Sequence, residues 1–118
     1  MTMKIIKTSQ LTGPALDWAV AKCEERHGRD NAERFLRDHR IGFTTNYSGV
    51  WSQGGPIIER EKIRLDPRES EWKAQDWACG LKDYFGPTAL IAAMRCFVAS
   101  KLGDEVDVPE ELLAGSAA

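Results

Sequence analysis

The chain has 118 residues, 42% of them apolar and 29% charged, with a net charge of −2. That is one domain's worth, large enough to bury a core without disulfides or metal, and its composition argues against bulk disorder. The charge balance lends no support to a basic nucleic-acid-binding domain, no apolar run reaches the ~18 residues that span a bilayer, and Met1 to Ile6 lacks an apolar stretch of signal-peptide length.

In chain order, Lys4 to Thr8 (KIIKT) is β-prone and predicts a short strand. Leu11-Thr12-Gly13-Pro14 then stops the strand and starts a helix, because a proline in the first turn gives up an N–H that has no partner there. Leu16, Val20 and Cys23 fall on one stripe, so the helix is expected from about Pro14 to Arg26, with Gly28 breaking it. Asp30 or Asn31 can cap a second helix, Ala32 to His39, which Gly42 ends. Phe43 to Trp51 reads as strand and loop. Gln53-Gly54-Gly55-Pro56 is the sharpest turn signal in the middle of the chain. Ile57 to Leu65 alternates charge with Ile63 and Leu65 on one face, which predicts a strand ended by Asp66-Pro67. Glu71 to Ala78, with Trp72 and Trp77, is read as another strand. Gly86-Pro87-Thr88 opens a helix over Ala89 to Leu102 that is apolar on nearly every side, as a central covered helix is, and Gly103 terminates it. Asp107 to Leu112 can add a short final helical turn. The expected fold class is α+β: a Gly-Pro-started N-terminal helix, short antiparallel strands and a buried C-terminal central helix. Residues 1–113 form the expected single domain and 114–118 a frayed tail.

Residues able to do chemistry are few. Cys23 and His27, four apart, would share a helix face and with His39 or Cys79 could ligate zinc, but there is no Cys-x-x-Cys pair. A Cys–His nucleophile is conceivable, yet no third group is placed to orient it. The three cysteines read as reduced, packed thiols, and no cofactor, metal or catalytic residue is assigned. Gln53-Gly54-Gly55 lacks the downstream Gly-Lys-Ser/Thr of a phosphate-binding loop. It is read as a structural turn that, beside Trp51, can also serve as a binding loop. Arg26, Arg29, Arg34, Arg37 and Arg40 crowd one stretch, but Glu24, Glu25, Asp30, Glu33 and Asp38 interleave with them, as on a solvated, salt-bridged face. Trp18 and Trp72 are expected in or beside the core, while Trp51 and Trp77 can anchor a partner.

Three long words carry a resemblance. Leu11 to Lys22 (LTGPALDWAVAK), Trp51 to Glu61 (WSQGGPIIERE) and Gly86 to Val106 (GPTALIAAMRCFVASKLGDEV) resemble, in order, the blocks of a small NinX-like phage and prophage family. The sequence departs from it at Ala89, where a second proline is expected, and over Glu24 to Asn46. The resemblance implies a bacteriophage or prophage origin and expression in the bacterial cytoplasm, and it implies no reaction. The expected role is a non-enzymatic accessory protein that binds a host or phage protein, with Trp51, Ser52, Gln53, Gly54, Gly55 and Pro56 as the candidate contact. The alternatives are a nucleic-acid-associated protein using Arg26 to Arg40 and a small metal- or thiol-dependent enzyme. Oligomeric state is left open.

Overall fold

The computed structural model describes residues 2–28, 30–76 and 82–114. Among the described residues five α-helices and five short strands make up an α+β fold. Strand β1 (Met3–Lys7) leads through a helical turn (Thr8–Gln10) into helix α1 (Gly13–Glu24). Helices α2 (Ala32–Arg40) and α3 (Trp51–Glu61) follow, then strands β2 (Arg64–Pro67), β3 (Trp72–Gln75) and β4 (Asp83–Gly86). Helix α4 (Ala89–Leu102), strand β5 (Glu105–Pro109) and helix α5 (Glu111–Ala114) complete it. All pairing among the described residues is antiparallel, in two sheets. One joins β1 to β5, with Ile5 opposite Asp107; the other runs β2-β3-β4, with Ala74 opposite both Leu65 and Tyr84.

Helix α4 is the centre of the molecule. It packs on β3 and β4 from one side and on α1 and α3 from others. Met94, Phe97 and Val98 are fully buried, as are Ala92 and Ala93. Each large apolar side chain so buried stabilises the fold by roughly 1.5–3 kcal/mol. Its ends are built as the sequence predicts. Thr88 Oγ1 accepts the Ile91 N–H at 3.1 Å, and Gly103, at φ +91°, takes a backbone turn that L side chains resist. The small residues have a purpose: a Cβ on Gly86 would lie 2.7 Å from the Ala92 nitrogen, so the end of β4 rests directly on the helix backbone.

Helix α1 ends at Glu24, and the chain tightens into a further helical turn over Glu25–His27 before Gly28 at φ +66°. Asn31, not Asp30, caps α2, its Oδ1 accepting the Arg34 N–H at 2.7 Å. Strand β3 stands where the Trp72 segment predicts one. Trp77 and Cys79 lie outside the described residues, as does 115–118.

The largest departure is the middle of the chain. Gln53-Gly54-Gly55-Pro56 is not a turn; it is the first half of α3, which continues to Glu61 through the segment expected to be a strand. Two local signals were overridden by packing. Gly54 is buried, and a Cβ there would collide with the Tyr47 carbonyl oxygen and come within 2.8 Å of Leu90 Cδ2. The glycine is a close-approach residue, not a flexible one. Pro56 withholds the bond that Ser52's carbonyl would receive, but both residues are exposed, so the cost falls at the surface of the helix. Lys62 then ends the helix in the left-handed conformation (φ 54°), with the Ile63 N–H returning to the Ile58 carbonyl at 3.1 Å. The chain from Phe43 to Val50 contains no strand, and β2 starts only at Arg64 and takes in Asp66 and Pro67. Likewise Glu105 to Pro109 is a strand, with the final helix displaced to Glu111.

A nearly closed charge network ties three helices together. Arg60 on α3 donates to both oxygens of Glu24 on α1, at 2.6 and 3.3 Å, and to Glu61 at 2.9 Å. Lys101 on α4 meets Glu61 at 3.1 Å. The Glu24 side chain is only 4% exposed, and Arg60 is the cation that offsets its burial.

Candidate functional site

The sequence-predicted contact, Trp51 to Pro56, occupies the first turns of α3 and divides by role. Trp51 begins the helix and is 57% exposed; Ser52 and Pro56 are exposed as well. Gly54 faces inward, and Gln53 turns back so that its Oε1 accepts the Asn46 N–H. Thus Trp51, Ser52 and Pro56 are available to a partner, while Gln53 and Gly54 hold the helix to the preceding loop.

That loop inverts the usual sorting of polar and apolar groups. Ile41 and Phe43 are 67% and 72% exposed, and Val50 is exposed beside Trp51. Tyr47 and Ser48, in the same stretch, are buried. Carboxylates below the loop hold it this way. The Tyr47 hydroxyl donates to Asp30 Oδ2 at 2.6 Å, and the Ser48 N–H donates to Asp17 Oδ1 at 2.9 Å. The Phe43 N–H adds a bond to the Asp38 carbonyl at 2.8 Å. Burial pushes the Asp17 carboxyl up to about 6, against the opposing effect of its Ser48 hydrogen bonds. Burial and the hydrogen bond to Asp30 raise the Tyr47 phenol as well. Ile41 and Phe43 escaped the sequence-based selection because they sit in an unpatterned stretch; nothing local says that Tyr47 and Ser48 will be drawn inward.

The other candidates separate. Cys23 is buried in α1, while His27 is exposed beyond the point where the helix tightens, so the pair is not brought together. Burial pushes the Cys23 thiol up to about 12, with Arg26 opposing, the reverse of what a nucleophile needs. Among the described residues no group of three His, Cys, Asp or Glu side chains is placed to hold a metal ion. In the arginine stretch, Arg34 pairs with Asp30 at 3.2 Å and Arg40 with both oxygens of Glu111 at 2.5 and 3.0 Å. His39 lies by Thr44 at 3.1 Å and stacks on Phe35. No described helix is long and apolar enough to cross a membrane.

A second surface feature was not legible in the sequence. An open cleft of about 870 Å³ lies between the two sheets. Its lining includes Lys7 of β1, Glu105 of β5, Glu71 next to β3, Tyr84 and Phe85 of β4, and Arg95 of α4.

Architecture and surface together define a small α+β domain that presents apolar residues on one connecting loop and a mixed-charge cleft elsewhere. The family model described as Bacteriophage P22, NinX matches residues 7–101, and the chain belongs to that phage protein family. The match runs through Glu24 to Asn46, the segment whose words depart from the resemblance, so α2 and the start of the apolar loop fall inside the family region. No curated protein matches the chain.

Proposed function

We propose that this protein is a phage accessory factor that works by binding another protein, of the host or of the phage, through the surface running from Ile41 to Pro56, in the bacterial cytoplasm. One observation carries the reading: the loop buries Tyr47 and Ser48 on carboxylates and leaves Ile41, Phe43, Val50 and Trp51 in water. A monomer with no use for that surface gains by the opposite arrangement, since exposing large apolar groups forgoes roughly 25 cal/mol per Å². Trp51 is suited to be the anchor, being a large, rigid, half-exposed aromatic at a helix start. The arginine-rich stretch supports a nucleic-acid role less well, because Arg34 and Arg40 are already engaged by carboxylates.

The test is site-specific photocrosslinking in infected cells. A photoreactive residue at position 51 or 43 is expected to yield one shared, discrete protein adduct, absent when it is placed at the exposed Arg68 between β2 and β3. Adducts identical at all three positions, or adducts to nucleic acid alone, would refute the proposal.

A further inference from the structure

The cleft between the sheets contains an unanswered charge. Arg95 rises from the central helix and is only partly exposed, yet its acceptors are two neutral carbonyls: Nε donates to Leu11 O and Nη1 to Phe85 O, each at 2.7 Å. Two of its five N–H donors are thereby used, and among the described residues it meets no carboxylate. A guanidinium drawn out of water to face neutral dipoles is under-compensated, and burial correspondingly disfavours its charged form. The two carbonyl bonds fix its fork, one anchored at the entry to α1 and the other on β4, so it is held in place without being neutralised.

The rest of the lining narrows what could answer it. Asp104 is already satisfied by Lys82 and the Tyr84 hydroxyl, both at 2.7 Å. Glu71 and Glu105, by contrast, line the same cleft and form no ion pair among the described residues, and neither does Lys7, which stands opposite Glu105 across the β1–β5 pair and is more exposed than Arg95. Phe85, whose own backbone carbonyl accepts from Arg95, is 38% exposed and offers an apolar face. Unpaired charge of both signs disfavours a polyanion such as nucleic acid, which the two glutamates would repel. The volume lies within the roughly 300–1,000 Å³ of small-molecule sites.

We propose that this cleft binds a free amino acid with an apolar side chain: its carboxylate on Arg95, its ammonium toward Glu71 and Glu105, its side chain on Phe85. The site is on a different surface from the Ile41–Pro56 loop and does not depend on the protein-binding reading.

The experiment is amide-shift titration by nuclear magnetic resonance with three probes of similar shape: L-phenylalanine, hydrocinnamate (no ammonium) and phenethylamine (no carboxylate). Phenylalanine is expected to shift 82–86, 95 and 104–105 saturably, with hydrocinnamate weaker and phenethylamine about tenfold weaker or more. Arg95→Lys, which keeps the charge but loses the fork, is expected to weaken phenylalanine about tenfold. Because Arg95 also braces two carbonyls, a second variant avoids the core: Glu71→Gln/Glu105→Gln, at exposed positions, should weaken phenylalanine about threefold and leave hydrocinnamate unchanged. The proposal is overturned if no probe saturates below about 10 mM, if phenethylamine binds as well as phenylalanine, or if the double variant affects both carboxylates equally.

Discussion

The two adjacent glycines of α3 make opposing predictions from one geometry. In a helix interior, glycine to alanine gains about 1 kcal/mol because the backbone surrenders less entropy on folding. Gly55 is free to take that gain: its Cβ would find nothing nearer than Trp51 Cε3 at 3.6 Å, an ordinary contact. Gly54 is not. Its Cβ would strike the Tyr47 carbonyl oxygen, which is backbone and cannot rotate away. Nor can the loop yield easily, since Tyr47 is tied to Asp30 and Ser48 to Asp17. Overpacking of this kind costs about 1–3 kcal/mol or more, which outweighs the propensity gain. Gly55→Ala is therefore expected to raise the thermal midpoint by about 4 °C, and Gly54→Ala to lower it by about 4–8 °C, at this chain length. Far-ultraviolet circular dichroism on melting and on urea denaturation measures both. If Gly54→Ala matches or exceeds the parent protein, α3 does not approach the loop as closely as the argument requires. If both variants fall together, the segment is a turn and not a helix.

Three further outcomes follow from the charges and the backbone. Asp17 titrates near 6 when folded, above its ordinary 3.8, so its contribution favours folding fully below about pH 4 and is lost as pH rises through 6. Asp17→Asn should abolish that slope and add on the order of 2–3 kcal/mol at neutral pH, read from denaturant midpoints between pH 4 and 8; an unchanged slope would contradict it. Arg60→Ala leaves Glu24 charged and buried, and should cost about 3–5 kcal/mol, with much of the loss recovered by a second change, Glu24→Leu. Lys62→Gly relieves a left-handed residue at the end of α3 and should stabilise by about 1 kcal/mol, visible as a higher midpoint.

The parts of this protein that its sequence determines are those whose causes are local. Helix α4 has Thr88 to bond its first turn, Gly103 to leave it and apolar residues on every side, so its limits follow from neighbours within a few positions. The same holds for Asn31 and the start of α2. Among the site residues, Trp51 was open to selection because an aromatic beside helix-breaking residues is conspicuous. Tertiary structure alone decided the rest. Gly54, Gly55 and Pro56 spell a turn to any local rule, yet they lie in a helix in which Gly54, having no Cβ, lets α3 settle against the Tyr47 carbonyl and Leu90. Ile41 and Phe43 face water because Asp17 and Asp30, far back in the chain, draw Ser48 and Tyr47 inward. Arg95 reads as an interruption of an apolar helix until β4 and the entry to α1 close over it and leave its charge at the floor of a cleft. Short-range rules record what a residue prefers; which preference is satisfied depends on partners that only the folded chain supplies.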